Sequence, residues 1–195
     1  MTAGEKDGTE RPQRRLRADA QRNEDLLLKA AAAAFAKEGA GASVKDIARA
    51  AGVGVGTLYR RFPSKELLIE ATYRHEVEQL CQAAPELAAA RPPTEALRGW
   101  MERFLAFMAA KQGMADALRL VLTDEGERLE TRAHLTDAVA LLLDRGRDQG
   151  LVQPHAEPHA VLMMLGGISL MAESERQPDL AGRLVDLLLH GVVKD

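Results

Sequence analysis

The segment VGTLYRR, Val55 to Arg61, sets Thr57, Arg60 and Arg61 on one side of a short helical turn and Val55 and Leu58 on the other. That distribution suits contact with a duplex. An arginine in a groove can bond guanine in bidentate fashion, worth about 1–3 kcal/mol of discrimination. It can equally bind phosphate, which positions without specifying, and at least one of Arg60 and Arg61 is expected to do so. Thr57 can meet a thymine methyl or a phosphate. Gly54 and Gly56 offer no side chain to read with, but they let the backbone approach closely. Other chemistries are poorly supplied. His155 and His159 are four apart around Glu157, but Pro154 and Pro158 break the segment and no cysteine joins them, so no metal is expected. There is no nucleophile elbow, phosphate-cradling glycine loop or paired-histidine zinc motif, and no enzyme is expected.

The flanking elements present that helix. Leu27, Ala31, Ala34 and Phe35 form one apolar stripe, which predicts a first helix over 19–37 ended by Gly39 and Gly41. A second begins at Ser43, a natural N-cap with Asp46 three residues on. Val44, Ile47, Ala48 and Ala51 give it a buried face. Gly52 permits the positive φ of a tight turn and Val53 anchors it. Pro63 then stops the third helix at Phe62, and Ser64 can cap a fourth with Glu66 in its first turn. Two short helices around a tight turn are a helix-turn-helix, the module that lays its second helix in the DNA major groove.

The same stretch resembles the DNA-binding motif of the TetR family of bacterial transcriptional regulators. The residues carrying the likeness are Ile47-Ala48, Ala51-Gly52-Val53, Gly56-Thr57-Leu58-Tyr59 and Phe62-Pro63-Ser64-Lys65-Glu66, with Phe35 and Gly39 upstream. The match covers residues 22–70. Gly54 departs from it, since the family often has serine there, and a side-chain cap is lost. The resemblance implies that Tyr59 and Lys65 contact phosphates, so the DNA-binding set is Lys45, Gly54, Gly56, Thr57, Tyr59, Arg60, Arg61 and Lys65. It also implies that the fourth helix links head to body and moves on ligand binding.

Charge divides along the chain. The net charge is −3 over 195 residues, but residues 1–62 sum to +4 and the remainder to −7. A basic end on an acidic body is the asymmetry expected if one end meets phosphates. Residues 1–17 are polar and read as a disordered arm. Its cluster of Arg11, Arg14, Arg15 and Arg17, with Arg22, reads equally as a phosphate-reaching arm or as a solvated tail. One cysteine, Cys81, excludes an internal disulfide and fits a cytoplasmic protein. No apolar run reaches the ~18 residues of a membrane span, and no secretory signal is expected.

The remaining helices are expected over 65–84, 93–111, 114–122, 127–149, 158–172 and 179–192. Trp100, Met101, Phe104, Met108, Met114, Leu118, Met163 and Met164 are candidate linings of an effector pocket, since flexible, polarizable methionine suits an adaptable apolar site. Plain core is the competing reading of each. In TetR-like proteins the last two helices pair with their mates in a four-helix interface, which implicates Leu162, Gly166, Gly167, Leu170, Leu184, Leu187 and Leu188. Two glycines inside a helix cost roughly 1 kcal/mol each relative to alanine. A close crossing with a partner helix would explain them, as would a kink in a buried helix.

The expected fold is all-α, with about nine helices. An arm over 1–17 precedes a three-helix helix-turn-helix domain over 18–63 and a helical effector-binding and dimerisation domain over 64–195. The expected function is a homodimeric, ligand-responsive regulator, a repressor released from a double-stranded operator by a small apolar effector, with no cofactor. The alternatives are an effector-independent dimeric DNA-binding regulator and a ligand-binding module that has lost DNA affinity.

Overall fold

The computed structural model describes residues 10–175 and 177–194. Among them the elements run α1 Glu10–Glu38, α2 Val44–Ala50, α3 Val55–Arg61, α4 Lys65–Ala90, α5 Pro93–Gly113, α6 Ala115–Val121, α7 Glu125–Asp148, α8 Pro158–Ser174 and α9 Pro178–Val192. A single 3-10 turn, Gly39–Gly41, joins α1 to α2. The only β feature among the described residues is an isolated antiparallel bridge between Val152 and Val193.

The head follows its local signals. The Ser43 hydroxyl accepts from the Asp46 N–H at 3.4 Å, and the Ser64 hydroxyl accepts from the Leu67 N–H at 3.2 Å. Gly52 takes φ 70°, and the Val53 N–H then closes on the Ala48 carbonyl at 2.9 Å. Leu27, Leu28, Ala31, Phe35, Ile47, Ala48, Leu58 and Phe62 are all buried, so α2 and α3 hang on one face of α1. Gly54 stands at the N-cap of α3 with no side-chain bond, as its lack of a hydroxyl requires.

Two boundaries differ from the sequence expectation by more than two residues. Helix α1 begins at Glu10, so residues 10–17 are helical and not a coil arm. Their Glu, Arg, Gln and Leu are good helix formers, and Pro12 falls in the first turn, where its missing N–H is not needed. Residues 1–9 of the expected arm, and the side chains of its arginine cluster before Arg22, lie outside what is described. Helix α4 continues to Ala90 through Pro85. An interior proline costs about 3 kcal/mol through a lost hydrogen bond and a clash. Burial of Ala83, Ala84, Leu87 and Ala88 on both sides of it opposes that break.

The body packs around α5. Trp100 and Met101 are fully buried, and the Trp100 indole donates to the Leu80 carbonyl at 2.9 Å, satisfying its one polar group. Phe104 stacks on Trp100 with centroids 5.7 Å apart, and Phe107 joins Phe104 to Tyr73 at 6.0 Å on either side. Helix α9 is tied back to α5 by Arg98, which pairs with Asp186, and the Gln153 N–H bonds the Val192 carbonyl at 2.8 Å.

Head and body meet where the end of α5 crosses α1. A Cβ on Gly113 would lie 1.9 Å from the Phe35 carbonyl oxygen, so only glycine permits this approach. At Gly56 an added Cβ would meet nothing within 4 Å. Gly113→Ala should therefore lower stability by about 1–3 kcal/mol, read from urea unfolding. Gly56→Ala should hold or slightly raise it.

Candidate nucleic-acid interface

Helix α3 is pinned by Leu58 and Phe62, which leaves its outer side exposed: Gly54, Gly56, Thr57, Tyr59, Arg60 and Arg61. Tyr59 is 48% exposed. Across a cleft of about 720 Å³ stand Gln21, Asn23, Glu24 and Leu27 of α1, facing Val53, Thr57, Arg60 and Arg61. The cleft is a strip in which amide, hydroxyl and guanidinium groups face one another.

The two arginines are not equivalent. The Arg61 guanidinium donates from Nε and Nη2 to Glu24 Oε1 at 3.2 and 2.9 Å, and from Nη2 to Oε2 at 2.8 Å. Arg60 makes no ion pair among the described residues and is exposed. An exposed pair of this kind contributes only about 0–1 kcal/mol to stability, but it fixes geometry and removes one positive charge from the α3 surface. Arg60 is thus the side chain poised for phosphate or base, with Arg61 held as a strut between α3 and α1.

Lys65, to which the resemblance gives a phosphate contact, also has a partner within the head. Its Nζ donates to the Ala42 carbonyl at 2.6 Å, closing the start of α4 onto the link before α2. Lys45 is exposed on α2. At the start of α4 the Glu66 carboxyl sits below the usual range because its own backbone N–H and the Ser64 hydroxyl bond it. Gln21, Asn23 and Glu24 were missed from the sequence. Glu24 lies 37 residues from Arg61 and no local pattern joins them.

The candidate body sites divide. Trp100, Met101, Phe104, Met114 and Leu118 are at most 5% exposed and belong to the close-packed core, with Met108 half-buried beside them. Met163 and Met164 are 51% and 54% exposed, so they face outward from α8 and line no space inside the protomer. The interface set divides too. Leu162 and Leu188 point into the protomer's own core, and so they are corrected out of an exposed face. Gly166 and Leu184 are half-buried, while Gly167, Leu170 and Leu187 are exposed. The reason is that α8 is apolar on nearly every side, and its sequence alone does not mark which side turns inward. The open apolar groove of the body lies elsewhere, between α4 and α7. It measures about 500 Å³, and Val77, Cys81, Ala84, Ala138 and Leu141 are among its lining. His155 and His159 are exposed in and after the loop that precedes α8.

Comparison with known proteins agrees with this geometry. Residues 27–72 match the family described as bacterial regulatory proteins, tetR family. Residues 92–194 match the C-terminal domain of SbtR-like transcriptional regulators. The structure of the TetR transcriptional regulator SCO0520 from Streptomyces coelicolor is similar, with 42% identity, 87% of this chain and 98% of that one covered, and a TM-score of 0.79. The TetR transcription regulatory protein from Mycobacterium vanbaalenii shares 33% identity over 92% of this chain and 99% of its own, with a TM-score of 0.71. The HTH-type transcriptional regulator SAR0097 of Staphylococcus aureus (strain MRSA252) is 42% identical over 74 residues, 36% of this chain and 38% of that protein's length.

Charge pairing at α3 predicts a salt signature on duplex DNA. Each phosphate contact contributes about 0.9 to the slope of log K against log salt. Arg60→Ala should flatten that slope by about 0.9. Glu24→Gln, by freeing Arg61, should steepen it by up to the same amount. Binding isotherms at several salt concentrations decide the matter, and an unchanged slope in Glu24→Gln would remove Arg61's assigned role as a strut.

Proposed function

This chain belongs to the tetR family of bacterial transcriptional regulators, and from that premise we propose that it is a homodimeric repressor released from its operator by a small molecule bound in the body. The observation that carries this reading is the continuity of α4. It starts at the Ser64 cap directly after α3, is pinned to the head by Lys65, and runs unbroken to Ala90, burying Leu80, Ala83, Ala84, Leu87 and Ala88 in the body on the way. A shift of α4 in the body is therefore transmitted to α3. No helix among the described residues is long and apolar enough to cross a membrane.

Dimerisation is proposed through the outer face of α8 and α9. Met163, Met164, Leu170, Met171 and Leu187 are between 51% and 69% exposed there. A patch of exposed large apolar side chains marks an interaction surface. An added Cβ on Gly166 or Gly167 would meet nothing within 4 Å inside the protomer, which leaves room for a close approach by a second copy. Two copies joined so could set their α3 helices about 34–36 Å apart, the spacing of successive major grooves.

Effector binding is proposed for the body on the same footing. By linkage, a ligand that favours one separation of the heads weakens DNA binding as much as DNA weakens its own binding. The effector-independent reading retains one observation in its favour: five of the residues first assigned to a pocket are sealed in the core. A reporter driven by the chain's own upstream region tests the proposal. Expression should rise on deletion of the gene, and a fall would make the protein an activator.

Leu187→Glu should split the dimer in sedimentation velocity and weaken operator binding by at least tenfold, with unfolding unchanged because the side chain is exposed in the protomer. A variant that remains dimeric would move the interface off this face.

A further inference from the structure

Where α1, α4 and α5 meet, a cavity of about 450 Å³ opens between head and body. Its walls differ in charge. Helix α4 supplies Glu76 and Glu86, α1 supplies Lys29, and α5 supplies Arg103. Among the described residues none of these four makes an ion pair. Acids on the central helix and bases on its two neighbours thus share one space without closing it. Glu76 is the half-buried member of the set, and the other three carry their charges at the exposed rim. Burial pushes the Glu76 carboxyl up, against the charges of His75 and Lys29, so Glu76 is the group most short of a cation.

The floor of the cavity is apolar and already fixed. Leu80 and Phe107 line it, and both are buried. The Leu80 carbonyl accepts from the Trp100 indole at 2.9 Å, and Phe107 is set between Tyr73 and Phe104 with each ring centre 6.0 Å away. Gln79, half-buried and three residues on from Glu76, brings an amide to the same side of α4. The chemistry of a guest follows from these walls. A purely apolar molecule would strip water from Glu76 and give nothing back. A simple amine would meet Lys29 and Arg103, and a simple acid would meet Glu76. A molecule that carries both signs on an apolar body complements every wall.

We infer that this cavity is a ligand site for a small zwitterion, an amino acid with an apolar side chain. Its ammonium would sit at Glu76 beside Gln79, its carboxylate between Lys29 and Arg103, and its side chain on Leu80 and Phe107. The site shares no lining residue with the groove between α4 and α7, and it stands whether or not the body takes an effector elsewhere. Lys29 belongs to the helix that carries α2 and α3, so an occupied site would link the head by charge to both body helices.

The test uses the full chain with three probes that share a phenyl ring and differ in charge: L-phenylalanine, phenethylamine and 3-phenylpropionate. Thermal unfolding should rise by about 3–6 °C with phenylalanine at tenfold its dissociation constant. Calorimetric titration should find the other two about tenfold weaker, since each leaves a charged hydrogen bond unmade. Glu76→Gln keeps the shape of a side chain that has no ion pair to lose. It should weaken phenylalanine about tenfold while 3-phenylpropionate binds at least as tightly as before. Lys29→Gln with Arg103→Gln should do the reverse, sparing phenethylamine. Ala106 is exposed on the cavity wall, so Ala106→Phe should block phenylalanine with the charges and the fold unchanged. No rise with any probe, or full binding of phenylalanine by Ala106→Phe, overturns the site. Phenethylamine or 3-phenylpropionate binding the wild type as tightly as phenylalanine overturns the zwitterion.

Discussion

The backbone of Gly113 rests on the carbonyl of Phe35, and the mechanics of the molecule depend on that contact. Two helices that approach without side chains between them cannot slide apart gradually. They stay in register or separate, because packed interiors are close to bistable. The contact joins the last turn of α5 to the helix on which α2 and α3 are hung. The α4 helix makes the second joint, fixed at one end by Ser64 and Lys65 and at the other by the buried Leu80, Ala83, Ala84 and Leu87. With two joints, the head swings only if α4 or α5 moves, and both belong to the body.

The exposed side of α3 is economical in charge. Glu24 cancels Arg61, Lys65 is occupied by the Ala42 carbonyl, and Gly54 supplies no hydroxyl at the start of α3. Arg60, Thr57 and Tyr59 remain exposed on α3, with Gln21 and Asn23 across the cleft. A surface so sparing of base-reading side chains shifts discrimination toward the spacing of paired heads and the shape of the DNA. Control of that spacing is the property that the proposed dimer face and the two head–body joints together supply.

Legibility in the sequence followed the range of the interaction. Ser43, Gly52, Pro63 and Ser64 act on neighbours within a few residues, so the head could be read almost element by element. Helix-forming residues around Pro12 and the buried alanines around Pro85 outweighed local breakers, and both boundaries shifted accordingly. The pairs that give the site its character were hidden. Arg61 with Glu24, Lys65 with Ala42 and Gly113 with Phe35 join residues far apart in the chain, and no periodicity encodes them. Helix α8 posed a different difficulty. AVLMMLGGISLMA is apolar at nearly every position, so its inward and outward sides carry the same letters. Only packing against α5, α7 and α9 separates Leu162 and Leu165 from Met163 and Met164.

The same division holds in the body. Methionines and aromatics stand out in the body's sequence, but the fold uses most of them to fill its core. Among the described residues, the buried side-chain atoms left without a hydrogen-bond partner are His75 Nε2 and Arg145 Nη1. A core of Trp100, Met101 and Phe104 that is already close-packed has little free energy left to gain from a further apolar guest.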